Sequence, residues 1–247
     1  MDSGNEGRPL SKRNLVLALD TATRHPTLAL VGADGGVVDE RQWQSEHRHG
    51  EQLLERLDDL LSAAGATPQD LAGVIVGIGP GSFTGLRIGL ATAKTIAYSV
   101  EIPIVGVSTT QALALAAVGP DSARHEVAVT LPAGAADRYV DRMIIEGKGV
   151  IDPEPAQLVA GNAAFAEVVG DAEVVAVDVD GAEDISDDAI ERGQAALAGL
   201  GQALARLGRQ ALAAGTHDVA RLVPAYVALP RGIAKAAPEM TWSPDLR

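Results

Sequence analysis

An α/β fold with two lobes is predicted for this 247-residue chain, and three observations predict it. Three strand-like apolar runs follow one another near the N-terminus, separated only by short turns. Helical stretches then alternate with short apolar runs to about residue 118, the strand–helix crossover pattern of a mixed sheet. At Gly119-Pro120-Asp121 that pattern breaks, and strand-like segments begin again beyond it.

Residues 1–13 are polar and glycine-containing with almost no apolar periodicity, which reads as a disordered extension. Structure is expected from Asn14. Leu15-Val16-Leu17-Ala18-Leu19 is continuously apolar, as in a strand covered on both faces, and runs into the polar turn Asp20-Thr21-Ala22-Thr23. Thr27 to Val31 and Val37 to Trp43 flank Ala33-Asp34-Gly35-Gly36, where Asp-Gly supplies the positive φ of a tight hairpin. From Gly50 to Ala64, Leu53, Leu54, Leu57, Leu60 and Leu61 recur at helical spacing between acidic residues. Gly73 to Ile78 is a buried strand, Gly79 to Gly85 a tight loop, and Thr84 to Ser99 a helix; Ile104 to Val107 and Thr109 to Val118 form the next strand and helix. The order βββαβαβα suits a mixed five-stranded sheet of ribonuclease-H or actin-like type. Beyond residue 120, Glu126 to Leu131, Tyr139 to Glu146 and Val174 to Val179 read as strands, Gln194 to Ala214 as one Ala-rich helix, and 231–247 as an extended tail.

Composition narrows the function classes. A formal charge of −13 argues against a broad phosphate-binding surface, so any service to RNA would pass through a partner. The patch Arg8, Lys12, Arg13 reads as a solvated tail. The absence of cysteine removes disulfides, Cys-ligated zinc, iron–sulfur clusters and thiol chemistry. No segment reaches the roughly 20 apolar residues of a membrane span, and the start lacks the apolar stretch of a signal peptide, so the cytoplasm is the expected address.

Gly79-Pro80-Gly81-Ser82-Phe83-Thr84-Gly85-Leu86-Arg87 is the most specific motif. Such glycines let a backbone turn sharply between strand and helix, and the free amides of the new helix attract anions. It is neither a Walker loop, lacking Gly-Lys-Ser/Thr, nor a dinucleotide fingerprint, its third glycine falling one place late. Gly79, Gly81 and Ser82 are candidate phosphate ligands, and Asp20 and Thr21 are candidates to orient a hydrated cation and meet phosphate oxygens. The competing readings are a turn that only sets the helix on the sheet and side chains that only satisfy turn amides.

The helix from Thr84 to Ser99 carries only Arg87 and Lys94 as charges, so its own sheet does not account for every side. Gly85, Gly89, Ala93 and Ala97 form a small-residue ridge that would admit another helix, with Leu86 and Leu90 to bury area. The competing reading is burial under the second lobe. Interface candidates are therefore Leu54, Leu57, Leu61, Leu86, Arg87, Gly89, Leu90, Ala93 and Ala97. Glu46-His47-Arg48-His49 is a superficial metal pair better read as a solvated loop. Ser82 lacks a nucleophile elbow, and His25, His125 and His217 are scattered. No catalytic or metal-ligating residue is assigned.

With these elements in place the sequence resembles the TsaB (YeaZ) family, the dimerisation subunit of tRNA threonylcarbamoyladenosine biosynthesis. The resemblance rests on Leu17 to Thr23, on His49-x-Glu51-x-Leu53-Leu54, and on Gly79 to Gly89 running to Gly106-Val107-Ser108-Thr109. Pro224-Ala225-Tyr226-Val227 is similar to the family's closing Pro-x-Tyr-Leu-Arg, without the Arg at Ala228. The resemblance implies an actin-like ATPase (ASKHA, ribonuclease H-like) fold whose second lobe is divergent: 1–13 extension, 14–120 first lobe with partner-binding helices, 121–230 second lobe with its terminal helix returning to the first, and 231–247 tail. It implies a non-catalytic scaffold for the catalytic paralogue TsaD, with the ATPase TsaE joining them and tRNA reached only through the complex. A homodimer through the same helices is the other assembly. No cofactor of its own is expected, and ATP or ADP near the partner interface is the one nucleotide the resemblance suggests. TsaD carries two metal-binding histidines where this chain has Thr109 and Leu113, which cannot replace imidazole ligands. The second lobe keeps only part of the family's hairpin pattern at Leu131 to Val140. The alternative is a nucleotide-hydrolysing actin-like enzyme using Asp20 and the glycine loop; a glycoprotease, the family's historical label, lacks the histidine pair.

Overall fold

The structure is a computed structural model that describes residues 15–45, 49–119, 123–134, 137–147, 149–179, 182–214, 219 and 221–227. The expected terminal extensions, most of the His47 segment, Pro120-Asp121 and His217 lie outside the described residues.

The first half forms β1 (Leu15–Asp20), β2 (Thr27–Val31), β3 (Val37–Gln42), α1 (His49–Ala63), β4 (Leu71–Gly77), α2 (Phe83–Ser99), β5 (Ile104–Val107) and α3 (Thr109–Val118). Its sheet has the order β3-β2-β1-β4-β5. β1 pairs antiparallel with β2 and β2 with β3, while β4 is parallel to both β1 and β5. The second half adds β6 (Arg124–Pro132), β7 (Asp137–Glu146), β8 (Gly149–Ile151), β9 (Gln157–Ala160), α4 (Asn162–Val169), β10 (Glu173–Ala176), α5 (Asp187–Ala198) and α6 (Leu200–Ala213). Here the order is β10-β6-β7-β8, with β9 also pairing β7.

Leu17, Leu19, Leu28, Leu30, Val74 and Val76 point to one face of the first sheet and pack with Leu53, Leu57, Leu60, Leu90 and Ala93 from α1 and α2. Ala18, Ala29, Val31 and Ile75 point to the other face and join α3, α5, α6 and the inner face of the second sheet, including Val127, Val129, Leu131 and Met143, in one continuous core. α4 covers the outer face of the second sheet through Phe165 and Val169. Five layers result, with α3, α5 and α6 between the sheets.

The expectation of one helix from Gln194 to Ala214 is corrected: the chain makes two, broken at Gly199. α5 packs on β10 of the second sheet and α6 on β1, β2, β4 and β5 of the first, so the chain changes layers at that residue. A Cβ on Gly199 would lie 3.1 Å from the Ala116 Cβ of α3, so a bulkier residue would push the junction off that helix. The expected strand Val174 to Val179 stops at Ala176, because Asp178 takes a positive φ of 60° and turns the chain.

α5 approaches β10 so closely that a Cβ on Gly193 would fall 1.8 Å from the Ala176 carbonyl oxygen. Both groups are backbone-anchored, so neither yields without moving an element. Gly193→Ala is expected to destabilise the fold by at least about 2 kcal/mol, despite the better helix propensity of Ala, and a urea melt checks it. An unchanged midpoint would mean that α5 sits further from β10.

Candidate functional site: the sheet junction and the outer helical face

The polar residues singled out in the sequence meet at the carboxyl end of β1, and most turn inward. Asp20 is fully buried. Its Oδ1 accepts from the Ala22 amide at 2.7 Å and its Oδ2 accepts from the Thr109 hydroxyl at 2.6 Å. Thr109 Oγ1 in turn accepts from the Gly79 amide at 3.1 Å. A Cβ on Gly77 would lie 1.7 Å from Asp20 Oδ2, so only glycine leaves room for the carboxyl group. Thr21, also buried, donates its hydroxyl to the Gly85 carbonyl in the first turn of α2 at 2.8 Å. Ser82 caps α2 by accepting from the Gly85 amide at 3.1 Å, and its own amide donates to the Ala22 carbonyl at 2.7 Å.

The reading of these groups as phosphate ligands is therefore corrected. Asp20, Thr21 and Gly79 lie beneath the surface with their polar atoms bonded to the protein, since burying them unpaired would cost more than turning them inward. Gly81 and Ser82 alone of the five line an open cleft of about 360 Å³, beside Ala22, Thr23, Arg24, Leu131, Pro132 and Asp178. With Asp20 sealed, the set does not fit a nucleotide and its hydrated cation.

Burial raises the Asp20 carboxyl to about 6, against the lowering effect of its bonds from Thr109 and Ala22. One residue on, Thr110 donates to Asp141 of β7, whose carboxyl is also raised, first by burial and further by Glu154, with the Thr110 bond opposing. Successive hydroxyls at the start of α3 thus grip a buried carboxyl group in each sheet. A third carboxylate, Asp178, crosses the junction from the turn after β10. Its Oδ2 accepts from the Arg24 amide at 2.6 Å and its Oδ1 lies 3.1 Å from His25 Nδ1, while its carbonyl accepts from Arg24 Nη2 at 2.6 Å. Sequence reasoning missed Asp141 and Asp178, because neither stands in a motif of recognisable spacing. His125 pairs separately with Glu173, at the start of β10, whereas Asp178 follows the end of that strand.

The small-residue ridge of α2 is also corrected. A Cβ on Gly89 would lie 2.1 Å from Thr21 Oγ1, one on Gly85 2.0 Å from the Thr21 carbonyl oxygen, and Ala93 and Ala97 are buried in the core. The ridge admits the chain's own β1 and its following turn. Leu57, Leu61, Leu86 and Leu90 are likewise buried in the first lobe. Of the nine interface candidates, Leu54 and Arg87 are exposed; Thr84, Ala91, Thr95 and Tyr98 complete the outer stripe of α2, with Tyr98 82% accessible.

Residues 25–160, more than half of the chain, match the family model described as TsaD, tRNA N6-adenosine threonylcarbamoyltransferase. TsaB of Bacillus subtilis is 38% identical over 99 residues, 40% of this chain and 43% of that protein. The chain belongs to the TsaD/TsaB (YeaZ) family. An uncharacterized protein of Mycobacterium leprae is 35% identical over 170 residues, 64% of this chain and 45% of its own length, and one of Mycobacterium tuberculosis is 36% identical over 157 residues, 59% and 71%. The match thus spans less than half of the M. leprae and TsaB relatives. YeaZ from Pseudomonas aeruginosa superposes with a TM-score of 0.65 at 21% identity, covering 86% of this chain and 99% of that one. The fold is accordingly the actin-like one of YeaZ. Thr109 and Leu113 at the start of α3 are both fully buried. No helix among the described residues is long and apolar enough to cross a membrane.

The buried carboxyl group gives a pH signature. Asp20 binds its proton more tightly folded, at about 6, than at the ordinary aspartate value of 3.8, so between these values the folded chain holds more protons than the unfolded one. Stability from this group therefore rises as pH falls through that window, by about 1–2 kcal/mol from pH 7.5 to 5. Asp141 acts in the same direction. Asp20→Asn, which does not titrate, is expected to flatten the profile measured by urea melts. An equal gain in the variant would place the titration elsewhere.

Proposed function

We propose that the chain is a non-catalytic scaffold subunit in the formation of N6-threonylcarbamoyladenosine at position 37 of tRNA. It binds TsaD through the outer faces of α1 and α2, TsaE joins the assembly, and tRNA is reached through the complex. The likeness to TsaB supplies the pathway. The observation that carries the scaffold role is the outer stripe of α2. Its inner side is used up by the first sheet, yet Ala91, Thr95 and Tyr98 stand exposed, as does Leu54 on the adjacent α1. A specific interface covers about 800 Å² per partner, an area two adjacent helices can present. The inward use of Asp20 and Thr21 supports a role without chemistry of its own.

Because Leu90 and Gly89 are internal, substitutions there would disturb the monomer, and the informative positions are Leu54 and Tyr98. Mixed with TsaD from the same host, the wild-type chain is expected to form a complex visible by light scattering. Leu54→Asp with Tyr98→Asp should weaken it at least about 10-fold with the melting temperature retained, whereas Val38→Asp on the β3 edge should not. Wild-type affinity in the double variant would move the interface off these helices.

A further inference from the structure

Arg87 is the exposed cation at the head of the outer face, and two contacts fix it. Its guanidinium carbon lies 3.8 Å from the centre of the Phe83 ring, and its Nε donates to the Tyr226 hydroxyl at 3.1 Å. The Phe83 and Tyr226 rings stand 5.3 Å apart, inclined at 38°. Tyr226 is itself held. The neighbouring Ala225 amide donates to the Ile78 carbonyl at 2.8 Å, just past β4, and Leu222 occupies the space above Gly106, where a Cβ would meet it at 2.6 Å. The segment 221–227 is thus a strap that crosses the end of the first sheet and sets one side chain on α2.

We propose that Arg87 is a preset receptor for a carboxylate of the protein that docks on α2. The proposal rests on the scaffold reading above and names the chemistry of its partner at one point. With Nε occupied by Tyr226, the guanidinium retains its two Nη groups, the end-on fork that accepts a carboxylate through two parallel hydrogen bonds. Stacking on Phe83 fixes the plane of that fork before the partner arrives, which lowers the ordering cost of binding. Among the described residues no carboxylate forms an ion pair with it. The charge of the chain selects the occupant. Glu55, Asp58 and Asp59 are exposed on the neighbouring α1, and the chain carries −13 overall. A polyanion such as RNA would be repelled by that setting, whereas a protein surface with one acidic residue opposite Arg87 and basic residues opposite α1 matches it.

The test is a calorimetric titration of TsaD from the same host with the full-length chain and three variants, at low and high salt. Arg87→Gln is expected to weaken binding about 10- to 100-fold and Arg87→Lys nearly as much, since Lys keeps the charge without the fork. Tyr226→Phe should cost about threefold in the wild-type background and nothing when combined with Arg87→Gln, because the hydroxyl acts only through the guanidinium. The salt dependence should be shallower for Arg87→Gln than for wild type. Wild-type affinity in Arg87→Gln, or an equal cost of Tyr226→Phe in both backgrounds, overturns the proposal while leaving the scaffold reading in place. Absence of any complex with the wild-type chain overturns both.

Discussion

Two hydrogen bonds at the start of α3 hold the molecule in one arrangement. Thr109 reaches Asp20 at the end of β1 and Thr110 reaches Asp141 in the middle of β7, so one helix end is bonded to both sheets. Each carboxyl group is buried, and a buried carboxyl without a donor is far more costly than one with it. The bonds therefore fix the angle at which α3 enters the layer between the sheets. Once α3 is placed, Leu113 and Leu115 seed the inner core, α6 fills the space over Ile75, and α5 closes against β10. Asp178 completes the junction from the opposite side, through the Arg24 backbone and the His25 ring.

The same junction explains the glycines in and around the loop before α2. Gly81 clears the Ala22 carbonyl and Gly85 and Gly89 clear Thr21, so three glycines serve one close approach of α2 to the end of β1, while Gly77 at the end of β4 leaves room for the Asp20 carboxyl group. A phosphate loop and a packing junction ask for the same residue type, which is why the motif reads both ways in the sequence. What separates them is where the neighbouring polar side chains point, and here Asp20, Thr21 and Thr109 point at protein atoms.

Legibility followed the strength of local periodicity. The first sheet and its helices were readable within a residue or two, because Leu15 to Leu19 is an unbroken apolar run and Leu53, Leu57, Leu60 and Leu61 repeat at helical spacing. The second lobe was less so. β8 and β9 are three and four residues long and lie at the edge of the sheet, too short to show alternation. α4, only eight residues long, and the first half of α5 escaped; the buried positions of α5 there are the small residues Ala189 and Gly193, where close packing rather than hydrophobicity chose the residue. In the site, the identity of the important residues was visible but their direction was not. The small ridge of α2 marked a close approach, yet nothing in its spacing says whether the approaching backbone belongs to a partner or to β1.

That ambiguity resolves into an argument about what the fold is suited to do. The residues between the sheets form one continuous core drawn from both of them, so separating the lobes would expose Ile75, Leu113, Val129 and Leu204 together. Exposing that much apolar surface costs several kcal/mol, which makes a wide opening of the junction costly. Rigidity suits a surface that must present fixed positions to another protein. The outer face has that character where the strap residue Tyr226 and the helix residue Phe83, far apart in sequence, agree on the orientation of Arg87. An exposed arginine held in this way has already lost the freedom that a flexible one loses on binding. The polar junction inside, the glycine ridge above it and the ordered cation on the surface thus form one chain of support, running from Asp20 through Thr21 and α2 to the guanidinium of Arg87.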